Sequence, residues 1–167
     1  MKTILISIIF LLLSPSIFSQ ILELEVGMKE KNLVKNTMPA KIEPNIKFLK
    51  REGNLTTFHQ EQDSSYRLEI RIETEKGFIQ SIHKEHVGRE LESRRKLFLR
   101  FKERMSTLST SDEWVEDEEL ARSSAQEYLD RGVRAKAYKH KKAKTKEILL
   151  YFHNKTDSVL IEIARNK

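Results

Sequence analysis

Tyr66, Leu68, Ile70 and Ile72 alternate with Arg67, Glu69, Arg71 and Glu73. Successive side chains of a strand point to opposite faces, so this spacing predicts a strand with one apolar face and one row of alternating charge. Such a strand belongs in an antiparallel sheet with one solvated face. Ile46 and Phe48 also alternate with lysines, and residues 51–54 turn the chain into a second run over 55–60. Thr74-Glu75-Lys76-Gly77 predicts a hairpin turn with glycine at the left-handed position, leading into a strand over 78–82.

The period changes at Val87. Val87, Leu91, Arg94, Phe98, Phe101, Met105 and Leu108 are spaced by four and three in turn, a heptad seam on a helix. Thr110 with Glu113 reads as a capping box for a second helix. Acids at 112, 113 and 116–119 suit its first turns, where the helix dipole favours negative charge, and Gly132 is its stop. Trp114, Glu118, Ala121, Ala125 and Tyr128 repeat the seam spacing. Small Ala121 and Ala125 set against large Phe98 and Phe101 predict that the two helices pair as an antiparallel hairpin. Runs at 133–139, 147–153 and 158–164 predict further strands, the last two joined by a turn at 154–157. In these, Ile148, Leu150 and Phe152 share one face, and Val159, Ile161 and Ile163 share one face of the partner. The expected fold is α+β: an antiparallel sheet from strands before and after a central antiparallel helical hairpin, a single domain over 46–167. Residues 20–45 contain Gly27, Pro39 and Pro44 without periodicity and read as an irregular N-terminal arm.

Residues 1–19 have a different character. Lys2 precedes an apolar stretch over 4–13 broken only by Ser7, and Ser14-Pro15-Ser16 closes it. This is the build of a cleaved signal peptide ending at Ser19. A bilayer span takes about twenty apolar residues, so no membrane span is expected after cleavage. The 167-residue chain has no cysteine, which excludes a disulfide scaffold and any Cys-ligated zinc or iron–sulfur site. An exported chain without cysteine suits a bacterial periplasm or the medium better than a small eukaryotic secreted domain.

Charge adds one candidate surface. The 31 Lys+Arg exceed 25 Asp+Glu, for a formal net charge of +6. Residues 131–146 are rich in Lys and Arg and contain no acid. Arg134, Lys136, Lys139, Lys141, Lys142 and Lys144 are the candidate residues for a polyanion or an acidic protein partner. Basic stripes bind such polymers through counterion release. An anionic glycan, lipopolysaccharide or an acidic protein is the expected partner; sequence-specific nucleic-acid reading is not, because no recognised motif accompanies the stripe. The competing reading is a solvated strand edge protected by lysines, or a stripe neutralised by the acidic helix start.

Arg94 interrupts the apolar seam and must reach water or a partner. It is a candidate anion-binding or structural arginine, and the hairpin arrangement places it beside Glu127 and Tyr128. His83, His86 and Glu90 are weak metal candidates whose spacing brings them together only on a helix. No nucleophile elbow, phosphate-cradling glycine loop or calcium loop occurs in the sequence, so no catalytic residue and no cofactor is assigned. The sequence therefore points to an exported, non-enzymatic binding or assembly module. A self-associating interaction domain using the helical seam is the alternative, and a metal-dependent hydrolase ranks below both.

Overall fold

The computed structural model describes residues 25–31, 46–62, 64–126 and 132–167. Among them, β1 (Lys47–Glu52), β2 (Leu55–Gln62), β3 (Tyr66–Glu75) and β4 (Phe78–Gly88) form a meander, and helix α1 (Leu91–Thr110) follows. Then come β5 (Trp114–Glu116), helix α2 (Glu118–Ser124), β6 (Arg134–His140), β7 (Lys146–Asn154) and β8 (Ser158–Asn166). All eight strands join one sheet in the order β1-β2-β3-β4-β8-β7-β6-β5, with every pairing antiparallel. Helix α1 thus carries the chain from the middle of the sheet towards its far edge. The second meander works back until β8 pairs with β4.

Local chemistry accounts for the joints. Lys76 and Gly77 have φ of 51° and 78°, the pair of positive values that a two-residue hairpin turn between twisted strands requires. The register shifts between Glu73 and Thr74, so Thr74 pairs with Ile79 and Ile79 is fully buried with the even-numbered residues of β3. Gly88 ends β4 where α1 begins. A Cβ there would stand 3.0 Å from the Ser93 carbonyl carbon, so a residue without one lets the helix fold back onto the sheet.

The alternation of side chains gives the sheet two unlike faces. On one face, Phe58, Leu68, Ile70, Ile72 and Ile82 pack with Val26 and Ile46. The same face continues through Ile148, Leu150, Phe152 and Leu160, over which α1 lays Leu97, Phe101 and Leu108. Tyr66 and Ala164 touch both groups. Phe101 stacks on Phe152 with centroids 5.4 Å apart and planes 19° from parallel. On the other face, Ala137, Leu149 and Tyr151 receive Leu120, Ala121 and Ala125 of the α2 segment. The charged row of β3 occupies that face too. Its ion pairs are Arg67–Glu85 at 2.9 Å and Arg71–Glu69 at 3.3 Å. Part of the chain preceding β1 docks on the sheet, with Gly27 N–H donating to Ile79 O and Ile79 N–H to Met28 O, both at 2.8 Å.

The expected helical hairpin is not present. Helices α1 and α2 lie on opposite faces of the sheet and are separated in sequence by β5. Ala121 and Ala125 meet Ala137, Leu149 and Tyr151 rather than Phe98 and Phe101. Trp114 is in a strand, and the residue that caps α2 is Asp117, whose carboxylate accepts the Leu120 N–H at 2.7 Å. Thr110 instead closes α1, donating to Ser106 O. Val87 and Gly88 belong to β4 rather than to the first helix, because they pair with Val159 and Ser158. Among the described residues the sheet is therefore one continuous eight-strand antiparallel layer, with α1 against one face and α2 against the other, rather than strands flanking a helical pair. No signal peptide is shown: the segment expected to be one, 1–19, lies outside the described residues, as do Glu127, Tyr128, Arg131 and much of the arm.

Candidate functional site

The basic stripe is divided by the strand that carries it. Neighbouring residues of β6 face opposite ways, and each way has its own neighbours. Arg134 reaches the ring of Phe98 on α1, 5.6 Å from its centroid. Lys136 forms an ion pair with Glu116, and Lys139 pairs with Asp117 at 2.7 Å. Those bonds raise both lysine pKa values above the ordinary range, in each case first through the hydrogen bond to the partner carboxylate. They hold Asp117 below the usual carboxylate range, with the Lys139 bond as the larger cause and the Leu120 N–H next. The acidic segment thus neutralises the middle of the stripe.

The rest of it forms the β6–β7 connection. Lys141 is held by its backbone N–H to Glu113 O at 2.8 Å. His140 Nδ1 accepts the N–H groups of Lys142 at 3.1 Å and Ala143 at 3.0 Å, which fixes the turn. The ammonium groups of Lys141, Lys142 and Lys144 make no ion pair among the described residues, and Lys142 and Lys144 are exposed. Of the six candidates, the structure brings these three together on one turn.

Arg94 is a clamp on the opposite end of β7. Its Nη2 donates to Asn154 Oδ1 at 2.7 Å and to Lys155 O at 3.0 Å, and its Nε reaches the same Oδ1 at 3.2 Å. The guanidinium therefore fixes the β7–β8 turn against α1. His83 and His86 lie on β4, three residues apart, and so face opposite sides of the sheet; Glu90 follows the strand as the residue preceding α1. The structure does not gather these three around one point. His83 sits in the charged row, its Nε2 3.2 Å from Arg71 Nη2, with its pKa pushed down to about 4 by burial first and by Arg71 second.

His86 belongs to a constellation with no sequence-level assignment. It is fully buried, its Nδ1 is 2.8 Å from the Tyr66 hydroxyl, and its Nε2 is 3.9 Å from Glu162 Oε1. Burial, followed by the Arg100 and Lys84 charges, holds its pKa well below 6.5. Glu162 projects from β8 beneath α1, with its side chain 12% exposed. Arg100 Nε donates to its Oε1 at 3.3 Å, and Arg104 Nε stands 3.7 Å from its Oε2. These groups border a groove of about 1140 Å³ between α1 and the sheet, which ends near the basic turn at His140 and Lys146. Trp114, Leu99 and Ile148 give it apolar wall, and acidic side chains such as Glu103 and Glu113 also line it. A near-continuous apolar run through β8 signals a strand buried on both faces. Read that way, Glu162 is an inward charge that needs a cationic partner, and Arg100 and Arg104 sit one helical turn apart on the covering helix. Reading only Val159, Ile161 and Ile163 as inward hides it.

No protein-family model matches this chain, and neither a curated protein nor a solved structure matches it. Among the described residues, no helix is long and apolar enough to cross a membrane, and no group of three His, Cys, Asp or Glu side chains could hold a metal ion.

Proposed function

We propose that this protein is an exported, non-enzymatic binding module that takes an anionic glycan or similar envelope polyanion on its β6–β7 turn. The supporting observation is the contrast within the basic segment. Lys136 and Lys139 are tied to Glu116 and Asp117, whereas Lys141, Lys142 and Lys144 have no acidic partner among the described residues. Unpaired lysines on a fixed turn bind a polyanion by displacing its counterions, so binding weakens as salt rises. The His140 bonds to the turn backbone reduce the ordering that binding must impose. Export is part of this reading through the apolar stretch after Lys2.

Retention of the full chain on immobilised dextran sulfate through a salt gradient tests the reading. Wild type elutes above physiological salt. A Lys141→Ala, Lys142→Ala, Lys144→Ala variant elutes earlier, and its log-affinity against log-salt slope flattens by about one unit per lysine removed. An unchanged slope in the triple variant rules the turn out as the contact.

A further inference from the structure

Arg100 Nε donates to Glu162 Oε1 at 3.3 Å, whereas Arg104 Nε, 3.7 Å from Oε2, forms an ion pair with the same carboxylate but no hydrogen bond. Arginine offers five N–H donors in a planar fork, and pairing to a carboxylate is strongest when two of them engage it in parallel. Here the Nη nitrogens of both side chains make no hydrogen bond with any described residue. Their side chains are 41% and 38% exposed, so the forks are accessible from the groove. The two residues are four apart on α1 and stand on one side of the helix. Glu162 lies below both guanidiniums, hydrogen-bonded to Arg100 and ion-paired with Arg104, behind it stands the fully buried His86, and Leu99 and Trp114 supply apolar wall nearby.

We propose that this groove is a second binding site, for a phosphate or sulfate monoester carrying an apolar or aromatic body. The oxyanion sits on the outward Nη donors of Arg100 and Arg104, and the organic part lies along Leu99 and Trp114. Glu162 is the positioning residue: its carboxylate accepts the Arg100 Nε–H and attracts Arg104 by charge, which draws the two side chains together and leaves the fork ends open. The site uses none of the turn lysines, so it stands or falls independently of polyanion binding there.

Equilibrium dialysis of the full chain against radiolabelled phenyl phosphate at low ionic strength tests the site, with inorganic phosphate as a second probe. Phenyl phosphate binds with one site per chain, and more tightly than inorganic phosphate because of the apolar wall. An Arg100→Lys, Arg104→Lys variant preserves net charge but removes the forks, and binds phenyl phosphate about tenfold or more weakly. Its circular dichroism and urea midpoint establish that it is folded. The triple turn variant at Lys141, Lys142 and Lys144 keeps wild-type affinity. No uptake at millimolar phenyl phosphate overturns the proposal, and so does equal affinity in the double lysine variant. Loss of affinity in the turn variant overturns it as well, because the binding is then a property of overall charge.

Discussion

Acid should destabilise this protein through His86. The ring has no solvent exposure, and its neighbours are a tyrosine hydroxyl on one nitrogen and the Glu162 carboxylate, at 3.9 Å, beyond the other. Burial, and then the positive charges of Arg100 and Lys84, depress its folded pKa well below 6.5. A histidine with a depressed folded pKa is protonated more readily in the unfolded chain. Stability is therefore fullest above the unfolded value of about 6.5 and declines as pH falls below it. Each pH unit costs about 1.4 kcal/mol while the native ring stays neutral, so lowering the pH to 5 removes roughly 2 kcal/mol through this residue. His83, lowered to about 4, adds to the loss with the same sign but is partly solvated. Trp114, the single tryptophan of the chain, reports urea unfolding at pH 7 and pH 5. A His86→Gln variant, able to keep a bond to Tyr66, sets the baseline. Wild type loses about 2 kcal/mol more than this variant between the two pH values. Equal losses in the two proteins, or a wild type more stable at pH 5, would refute the reasoning.

Other expectations follow from single contacts. Gly88→Ala forces a methyl group against the backbone of Ser93 and Arg94 and should lower stability by about 1–3 kcal/mol, read as a fall in urea midpoint. Phe101→Ala removes the ring stacked on Phe152 in the core beneath α1 and should cost about 3–5 kcal/mol by the same measurement. Asp117→Ala removes the α2 cap and should cost about 1 kcal/mol, with faster amide exchange at Leu120 as its local sign. Arg94→Ala releases the β7–β8 turn, and accelerated exchange confined to the residues around 154–158 is the expected readout.

The strands were legible in the sequence wherever one face is wet. Tyr66 to Glu73 alternate because α1 and the neighbouring core cover one side while ion pairs with β4 fill the other. The turn before Phe78 was equally plain, since Gly77 stands where the chain needs a positive φ, although the positive φ of Lys76 had no signal of its own. The helical hairpin was misread because a spacing of four and three shows that a helix buries one side without showing against what. Phe101 and Leu108 of the expected seam are buried, with Phe98 and Met105 packed beside them, but at its N-terminal end Leu97 takes the place of Arg94 and Leu91 is exposed. Trp114 and Val115 sit in a three-residue strand, too short for alternation to appear. Of the candidate sites, the basic composition of 131–146 was visible, but its division by Glu116 and Asp117 depends on a cross-strand pairing with no local signature. The Glu162 cluster was hidden for a related reason. Both faces of β8 are covered, so an inward charge is not betrayed by broken alternation.

The central claim is that anion binding follows the lysines left unpaired on one turn and not the excess charge of the chain. The most direct test compares two charge-matched triple variants on dextran sulfate. One replaces Lys141, Lys142 and Lys144 by glutamine; the other makes the same change at Lys47 in β1, Lys76 in the β3–β4 turn and Lys155 in the β7–β8 turn. The turn variant should elute at clearly lower salt than wild type while the distributed variant stays close to it. Equal displacement of the two would contradict a localised site.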